Sequence, residues 1–479
     1  MCKTVVKMAI LVILLFSIAL PLQAAEQHEL NGDAINEVLE LINAYPVDNP
    51  EKAVLVEERI KGLMEEIDDP YTYYMNPDEF KIFNNQLANN YIGIGVMFEM
   101  REHFPVITEV FQNTPAEKAG IKAGDLLVKV NDRSVADLTV QELYTIMDGA
   151  EGASLNITVR RLGTDDIDLV LTQGIIHVPA ASYEILDNNV GYINLSQFSD
   201  GSAREFMMAA FELEKQGATK LIMDLRGNPG GSLEEAVKIA DLFLSPGSTI
   251  IRITDYNGYN DVISTAGLPL LSGMRTVVLV NGQSASASEC LSGALQDHYA
   301  AIILGEKTYG KGSMQRVYQL ESGAAVSITI AKYYTPLSNP VDGVGITPDY
   351  QIITPGLQQY FAQRLFKPYE ENVVVFYQDS DEMLLNETPI QINNAVIGIN
   401  NRVYLPLRAA FEALGYRVDW LVGDDGTVSI GTNMAQFGYD DFEMHFEGDT
   451  LYVALEELYV FGINYEINGN AITIWTQTH

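Results

Sequence analysis

Stretches of different hydrophobic periodicity follow one another along the chain, and each predicts a different kind of structure. Between residues 28 and 78, apolar residues recur at roughly helical spacing, with breaks at Pro46 and Pro50. Residues 79–163 alternate short β-like runs around a helix-like piece, Val140–Met147. The β-like runs are Ile92–Met97, Val106–Val110, Leu126–Val130 and Leu155–Val159. The pattern therefore predicts a helical arm followed by a β-rich module.

The pattern changes to alternating strands and helices between residues 175 and 355. Lys220–Leu225 and Thr276–Val280 are apolar runs typical of buried strands, and each precedes a glycine-bearing turn and a helix. Residues 386–479 return to short strands around one helix, Pro406–Leu414. We predict an α/β core followed by a small α+β domain.

The first 25 residues have the order of an export signal. Lys3 and Lys7 precede an apolar run that ends at Leu20, and the small residues Ala24 and Ala25 follow it. The run is shorter than the roughly 20 apolar residues that a membrane span needs, so a cleaved signal peptide is favoured over an uncleaved anchor. We expect an exported protein, either at the cell surface or envelope or secreted.

Composition narrows the classes of partner. The 479 residues include 64 acidic and 29 basic side chains, which gives a net charge of −35. This charge repels phosphate backbones, so nucleic acid is excluded as a partner. Signal cleavage would remove Cys2 and leave Cys290 alone, so no intramolecular disulfide is expected. The six histidines are scattered, so we expect no metal site and no cofactor.

One segment of the α/β core carries candidate nucleophiles. Val277–Glu289 passes from a buried strand through a small-residue turn, with Ser284, Ser286 and Ser288, into a helix. A serine at the start of a helix lies where free amides and the helix dipole favour a developing anion. Such serines also cap helices without any chemistry, and taken alone that interpretation is favoured.

A second segment, Gly305–Gln315, supplies a candidate base. No histidine is convincingly placed to activate a serine, and a lysine can do so when burial lowers its pKa. Lys311 lies between Gly310 and Gly312, which suits a tightly packed site. A lone lysine is more commonly a solvated surface charge, and Lys307 is an alternative in the same segment.

Together the two segments resemble those of the carboxyl-terminal processing proteases, or tail-specific proteases, of bacteria and chloroplasts. The motifs Ser-Ala-Ser-Ala-Ser-Glu and Gly-x-x-Thr-x-Gly-Lys-Gly-x-x-Gln are both complete here. The resemblance implies that Ser286 is the nucleophile, that Lys311 is the base and that Gln315 orients the lysine. The resemblance, and not spacing alone, excludes the neighbouring candidates Ser284, Ser288 and Lys307.

A third segment, Met223–Ser232, resembles the Asp-Leu-Arg-x-Asn-Pro-Gly-Gly loop of the same family. A glycine pair after a strand presents unhindered N–H groups that suit a tetrahedral oxyanion. We predict an oxyanion site formed by the amide of Gly230, or that of Gly231, together with the amide of Ala287. A turn that needs glycine for its backbone angles would show the same sequence.

Residues 79–163 resemble a PDZ domain. Tyr91–Val96 matches the glycine-containing loop that binds a terminal carboxylate, and Asn113–Asp125 matches the connector of protease-linked PDZ domains. A peptide would add as an edge strand, with its last side chain in an apolar pocket. Ordinary bends and core isoleucines would also explain such a loop. The predicted groove residues are Ile92, Gly93, Ile94 and Gly95, with Leu143 and Met147 as walls.

The resemblance also concerns regulation and assembly. In some members the PDZ module gates the active site through an arginine near its end, and Arg161 occupies the matching place, although an exposed strand end is an equal alternative. Asp68–Tyr74 matches the end of an arm for which the resemblance implies a homodimer.

Residues 403–420 resemble the stalk domain at the N-terminus of copper amine oxidases, for which a stabilising role is favoured over contact with the cell wall. The whole predicted stalk domain, residues 386–479, contains only His445 and His479, so no copper site is expected.

The resemblance implies a multidomain α/β protein. A crotonase- or ClpP-like protease core would carry an inserted PDZ β-sandwich or barrel, an N-terminal helical arm and a small α+β C-terminal domain. The predicted boundaries are 1–25 (signal peptide), 26–78 (arm), 79–163 (PDZ), 164–357 (core), 358–385 (connector) and 386–479 (stalk domain).

The expected function is that of a serine endopeptidase that cleaves proteins near their C-termini and captures substrates by their free C-terminal tails. Two alternatives come from other classes: a non-catalytic surface adaptor on a degenerate protease core, and an acyl-thioester enzyme on a related core. The complete set of Ser286, Lys311 and Gln315 opposes the adaptor. An exported chain without a nucleotide-binding signature opposes the thioester enzyme.

Overall fold

The computed structural model of the protein describes residues 52–101, 103–367, 372–378, 380–392, 396–422, 428–431, 436–438 and 443–476. The predicted signal peptide and the start of the predicted arm lie outside these residues. A first compact unit ends at Leu63, and its described residues belong to helix α1 (Lys52–Glu65). No helix within the described ranges is long and apolar enough to cross a membrane.

The second compact unit, which begins at Met64, opens with a short strand and a helix. Strand β1 (Tyr73–Met75) precedes helix α2 (Pro77–Leu87), whose start is fixed by Asn76. The Asn76 side chain accepts the Glu79 N–H at 2.9 Å, and the Glu79 carboxylate accepts the Asn76 N–H at 2.8 Å. This reciprocal pair is a capping box, which satisfies amides that the first helical turn leaves free.

A six-stranded antiparallel sheet with two helices forms the PDZ module. Its sheet has the order β3-β4-β5-β7-β8, with β6 paired to β5. The elements of this part are β2 (Asn90–Gly93), β3 (Val96–Arg101), β4 (Phe104–Val110), α3 (Pro115–Ala119), β5 (Leu126–Val130), β6 (Arg133–Ser134), α4 (Val140–Met147), β7 (Ser154–Arg160), β8 (Ile167–Thr172) and β9 (Gly174–His177).

Strand β8 carries the PDZ sheet past the predicted boundary at residue 163. Its residues pair with β7, with Leu169 opposite Ile157, and Leu171 is buried in the core of the module. The chain enters and leaves the module through an antiparallel ribbon, in which β2 pairs with β9. The predicted boundary at residue 163 was too early. It was placed at the end of the PDZ sequence motifs, whereas β8 is recognised as part of the module only by its pairing with β7.

The predicted protease core is built on a six-stranded sheet of order β10-β11-β12-β15-β16-β19, in which β10 is the antiparallel edge strand. A second sheet has the order β1-β18-β13-β14, with β17 paired to β18. The elements are β10 (Ala181–Leu186), β11 (Val190–Leu195), α5 (Ser202–Lys215), β12 (Lys220–Asp224), α6 (Leu233–Ala240), β13 (Thr249–Asp255), β14 (Asn260–Ser264), β15 (Arg275–Val280), α7 (Ala287–Asp297), β16 (Ala301–Gly305), β17 (Ser313–Gln319), β18 (Ala325–Tyr334), β19 (Tyr350–Gln351) and α8 (Pro355–Arg364).

The predicted strands and the helix after the serine turn are therefore present. Strands β12 and β15 are parallel neighbours, with Met223 opposite Val278. Because the carboxyl ends of parallel strands meet at one edge of a sheet, the glycine loop after β12 lies beside the serine turn after β15. Local sequence thus brings two of the three predicted catalytic segments together.

In its described residues, the C-terminal domain contains three small antiparallel sheets and one α-helix after α8. Their orders are β22-β21-β20-β31-β30, β23-β24-β29-β28 and β25-β26-β27. The elements are β20 (Val373–Tyr377), β21 (Glu382–Leu385), β22 (Thr388–Gln391), β23 (Ile397–Ile399), β24 (Arg402–Pro406), α9 (Leu407–Ala413), β25 (Asp419–Val422), β26 (Val428–Gly431), β27 (Gln436–Gly438), β28 (Met444–Glu447), β29 (Thr450–Ala454), β30 (Ile463–Asn468) and β31 (Ala471–Thr476).

The predicted connector, residues 358–385, is largely folded. It contains most of α8 and the strands β20 and β21, and β20 pairs with β31 near the end of the chain. The connector prediction was wrong because the first strands of the domain find their partners far along the chain, which short-range patterning does not reveal.

The C-terminal domain and the protease sheet share one hydrophobic core. Along β15 the side chains alternate, so Val278 and Val280 pack with the helices α5 to α7, and Val277 and Leu279 face the other way. Val277 and Leu279 belong to the same buried cluster as Phe411 of α9. Buried Glu412, also on α9, accepts the backbone N–H groups of Ile353 and Thr354 at 3.0 and 2.9 Å. The domain therefore covers the second face of the protease sheet.

We expect a chain that ends at Lys367 to aggregate. It keeps every strand of the six-stranded sheet and all of α8, but it exposes large apolar residues whose burial stabilises the fold by about 1.5–3 kcal/mol each. Size-exclusion chromatography and thermal unfolding, beside the full chain, measure the effect. A monodisperse truncated protein with an unchanged Tm would contradict the shared core.

Candidate active site

Ser286 stands at the junction between the serine turn and α7. Its backbone angles are φ 55° and ψ −113°, an uncommon conformation for a residue with a side chain. The residue is half-buried. Strained backbone of this kind is common at active sites, where the surrounding structure holds it.

The two neighbouring serines of the turn are fully buried and engaged. The Ser284 hydroxyl donates to the carbonyl oxygen of Leu225 at 2.7 Å, and the Ser288 hydroxyl donates to the carbonyl oxygen of Asn228 at 3.0 Å. Both fasten the serine turn to the glycine loop after β12. Their hydroxyls are therefore used structurally, and Ser286 is the accessible serine of the three.

The carboxylate of Glu289 joins the serine turn to the lysine segment. Glu289 is completely buried on the first turn of α7 and accepts four hydrogen bonds. Its Oε2 accepts the backbone N–H of Ser286 at 2.8 Å and that of Lys311 at 2.9 Å. Its Oε1 accepts the Gly310 N–H and the Thr308 hydroxyl, each at 2.6 Å. One carboxylate oxygen thus holds the backbones of both predicted catalytic residues.

Tyr333 of β18 makes a matching connection on the carbonyl side. Its hydroxyl donates to the carbonyl oxygen of Lys311 at 2.6 Å and lies 3.1 Å from that of Ser286. Burial raises the pKa of Tyr333 well above its usual range, so the hydroxyl keeps its proton.

The nearby Cys290 is also buried, which raises the pKa of its thiol to about 12. At neutral pH this thiol is protonated and does not compete as a nucleophile.

The Lys311 amine lies in a half-buried position beside an aromatic ring. Its Nζ is 4.4 Å from the centroid of the Tyr71 ring. Burial lowers the pKa of Lys311, while the negative charges of Asp69 and Glu289 act in the opposite direction. Lys307, the alternative base, is exposed. Within the described residues, no hydrogen bond joins the Lys311 amine to the Ser286 hydroxyl.

Gln315 was expected to orient Lys311, but its amide makes other contacts. Its Nε2 donates to the hydroxyls of Ser313 at 2.9 Å and Thr329 at 3.2 Å, and no hydrogen bond from Gln315 to Lys311 occurs in the ranges described. The pairing of β17 with β18 shifts register between Met314 and Gln315. Because a bulge re-aims the side chains that follow it, sequence spacing alone does not locate this amide.

The glycine pair of the predicted oxyanion site lies against Ser286. A Cβ on Gly230 would fall 2.6 Å from the carbonyl oxygen of Ala285 and 2.9 Å from the Cβ of Ser286, so only glycine fits. The Gly230 N–H already donates to Oδ1 of Asn228 at 2.8 Å. No hydrogen bond from the Gly231 N–H occurs in the described part of the chain, so the geometry favours Gly231 over Gly230. The Ala287 N–H is at the first helical position, where helix geometry leaves it free.

The PDZ module carries a groove of about 650 Å³ beside the free edge of β3. Of the predicted residues, Ile92, Gly93, Ile94 and Met147 line this groove. Gly95 is not among the lining residues. Leu143 is fully buried in the core of the module, so its prediction as a groove wall was wrong. Gln141, Tyr144 and Thr145 of α4 also line the groove, together with Asp148 directly after the helix.

Arg161 lies against the connector of the PDZ module. Its Nε and Nη2 each donate to the carboxylate of Asp125 at 2.7 Å, and Nη2 donates to the carbonyl oxygen of Gly120 at 2.8 Å. Burial of Asp125 would raise the pKa of its carboxyl, but the hydrogen bonds from Arg161 and from the Lys122 N–H lower it. The gating role of Arg161 stays a prediction.

Several residues of the site were not predicted as functional: Asp69, Tyr71, Glu289 and Tyr333. Glu289 stands within the serine motif, so its position carried a signal, whereas Tyr333 has none in the sequence. No group of three or more His, Cys, Asp or Glu side chains that could hold a metal occurs in the described residues. His298 lies at the far end of α7, with Nε2 2.7 Å from the carbonyl oxygen of Thr249.

Comparison with known proteins matches three parts of the chain. Residues 189–352 match peptidase family S41, residues 106–161 match the PDZ domain, and residues 363–430 match the copper amine oxidase N-terminal domain. Over 377 residues the chain is 31% identical to a probable CtpA-like serine protease of Staphylococcus haemolyticus, across 77% of this chain and 76% of that protein.

A second relative is the carboxy-terminal processing protease CtpA of Bacillus subtilis. It is 33% identical over 333 residues, which are 70% of this chain and 71% of that protein. Among solved structures, the photosystem II D1 C-terminal processing protease is 27% identical, with a TM-score of 0.42 over 68% of this chain and 89% of that one.

We expect Glu289→Gln to lower kcat/KM by about 10²-fold, because an amide nitrogen in place of one carboxylate oxygen would face N–H donors and displace their segments. Peptide-cleavage kinetics, with a thermal melt to confirm folding, measure the effect. Glu321→Gln, in the exposed turn between β17 and β18, is the matched control. A folded Glu289→Gln protein with full activity would show that the carboxylate does not position the site.

Proposed function

Since the chain belongs to the carboxy-terminal processing proteases of peptidase family S41, we propose that it is an exported endopeptidase in which Ser286 and Lys311 form the catalytic dyad. It would cleave proteins near their C-termini after its PDZ domain has captured the tail. The observation that best supports the dyad is that Oε2 of Glu289 accepts hydrogen bonds from the backbone N–H groups of both Ser286 and Lys311.

The proposed reaction is acyl transfer to the Ser286 hydroxyl. Neutral Lys311 removes the hydroxyl proton as the oxygen attacks the peptide carbonyl carbon, and Lys311 then returns a proton to the leaving amine. Water activated by Lys311 hydrolyses the resulting ester and releases Ser286. Catalytic hydrogen bonds are often long in the absence of substrate, so the missing bond between the two side chains is compatible with this scheme.

The oxyanion of the tetrahedral intermediate would be held by the N–H groups of Gly231 and Ala287. Preorganised donors of this kind stabilise charge where it develops, at little cost in reorganisation. Asn228 supports the choice of Gly231, because its Oδ1 already accepts the Gly230 N–H. The geometry around Ser286 leaves room only for glycine at position 230, which lets the glycine loop approach the serine turn.

Substrate capture is proposed to occur by strand addition in the PDZ groove. In the described residues β3 is the end strand of its sheet and can accept an added strand, and the segment Ile92–Gly95, which runs from β2 into the turn before β3, suits a terminal carboxylate. The rings of Phe98 and Tyr144, with centroids 5.6 Å apart, give the groove an apolar lining for a side chain of the tail.

Export stays a prediction from residues 1–25. The homodimer through the N-terminal arm and contact of the C-terminal domain with the cell wall likewise stay predictions from the resemblance.

We expect Ser286→Ala and Lys311→Met each to reduce peptide cleavage by a factor of at least about 10³, because the nucleophile or its base is lost. A fluorogenic peptide assay measures the loss, and labelling by a fluorophosphonate reports the reactive serine directly. Ser182→Ala removes an exposed hydroxyl on β10 and serves as a control that keeps the label on Ser286. Normal turnover by the Ser286→Ala or the Lys311→Met variant would refute the dyad.

We expect the PDZ groove to require a free carboxylate and the ring of Tyr144. In a Ser286→Ala background, a labelled peptide with an apolar last residue should lose about ten-fold in affinity when its C-terminus is amidated or when Tyr144 is replaced by Ala. Fluorescence anisotropy measures the binding. Tyr183→Ala, an exposed tyrosine on β10, is the matched control. Equal binding of acid and amide peptides would argue against tail capture in this groove.

A further inference from the structure

The Lys311 amine is enclosed by a third stretch of chain, Asp69–Thr72, in addition to the two catalytic segments. The ring of Tyr71 lies against the amine, with 4.4 Å between Nζ and the ring centroid. The Asp69 carboxylate is near enough for its charge to act on the same amine. This stretch precedes the PDZ domain, and sequence analysis placed it at the end of the N-terminal arm.

The stretch is fixed to the protease core by backbone contacts. Strand β1 pairs with β18, with Tyr73 opposite Ser327. The Ser327 hydroxyl donates to the carbonyl oxygen of Tyr71 at 3.1 Å, and the Thr329 N–H donates to the Thr72 hydroxyl at 3.1 Å. Since β18 also carries Tyr333, the strand that holds the Ser286 and Lys311 carbonyls also sets the position of the Tyr71 ring.

The Asp69 carboxylate is oriented by its own turn. Its Oδ1 accepts the Tyr71 N–H at 3.1 Å, and its Oδ2 accepts the Thr72 hydroxyl at 2.7 Å. Burial would raise the pKa of Asp69, but hydrogen bonds from Thr329, Thr72 and Tyr71, together with the charge of Lys311, lower it. The carboxylate is therefore ionised at neutral pH and held in place.

Other titratable groups also surround this corner of the site. Glu289 acts on the Lys311 amine from α7, with the same sign as Asp69. Tyr309 and Asp342 lie near Tyr71, and Asp342 is paired with Lys332 at 2.7 Å. Burial and Tyr309 raise the pKa of Tyr71 to about 12, so its ring is uncharged in the working range.

On the basis of the proposed function, we propose that Tyr71 and Asp69 are positioning residues for the reaction. The Tyr71 ring covers the Lys311 amine from water on one side, and the charge of the Asp69 carboxylate attracts the amine. The segment before the PDZ domain is thus a third wall of the proposed active site. The face of the ring also attracts an ammonium group, but we expect its exclusion of water to dominate and to favour the neutral amine, whereas the carboxylate favours the ammonium form.

The test is the pH dependence of kcat/KM for three variants. Activity requires neutral Lys311, so it rises with pH through the pKa of this amine. The acid limb of the profile is the range in which kcat/KM rises with pH. Asp69→Asn removes a charge that stabilises the ammonium, so this limb should move to lower pH than in wild type. Tyr71→Ala admits water that solvates the ammonium, so the limb should move to higher pH. Tyr71→Phe keeps the ring and should leave the limb close to that of wild type.

Matched controls are available on the same segment. Asp68→Asn removes an exposed carboxylate one residue away, and Tyr73→Ala removes an exposed ring of β1. Both should retain the wild-type limb. The inference is overturned if Asp69→Asn and Tyr71→Ala leave the limb unmoved, if they shift it in the same direction, or if Asp68→Asn shifts it as much as Asp69→Asn does.

A second readout separates this inference from the proposed function. The rate at which a fluorophosphonate labels Ser286, measured against pH, reports activation of the serine without peptide binding, and it should show the same opposite shifts. An active Lys311→Met protein would refute the dyad itself. An inactive Lys311→Met protein, with coincident profiles for wild type, Asp69→Asn and Tyr71→Ala, would refute only the roles of Asp69 and Tyr71.

Discussion

The active site depends on one buried carboxylate. Glu289 has no exposed surface, so its charge requires donors from the protein in place of water. It finds four of them, one on Ser286 and three on the lysine segment (Thr308, Gly310 and Lys311), and they tie both parts of the site to the first turn of α7. Because removing any donor would leave part of this charge uncompensated, the unusual backbone of Ser286 and the position of the lysine segment are held together.

The oxyanion loop and β18 complete this arrangement from two sides. The glycine loop approaches Ser286 so closely that a side chain at Gly230 would collide with the turn. On the other side, Tyr333 donates to the Lys311 carbonyl from a strand that also binds the segment of Tyr71. The Lys311 amine therefore lies beside the Tyr71 ring and under the charges of two carboxylates, those of Asp69 and Glu289. The proposed catalytic groups come from short motifs, but their environment comes from distant strands.

The sequence predicts features that depend on neighbouring residues, and it fails for features that depend on contacts between residues distant along the chain. Ser286 and Lys311 stand in complete motifs, and the strand and helix periods located α4, β12 and β15. The role of Leu143 was wrong because both it and Tyr144 are apolar enough to face a groove, and only packing shows that Leu143 points to the core. The choice between Gly230 and Gly231 rests on the direction of two N–H groups, and the aim of Gln315 rests on a bulge. Neither leaves a signature in residue types. Strand pairing likewise decided the PDZ and connector boundaries.

The ribbon of β2 and β9 has a consequence for how such proteins diversify. The two strands are hydrogen-bonded neighbours, so the polypeptide departs from the protease core and returns to it at a single point. Because the two ends of the inserted module are already adjacent, a longer module adds only a small cost in loop-closure entropy. A module of another size could be exchanged at this point without altering the sheet that precedes Ser286.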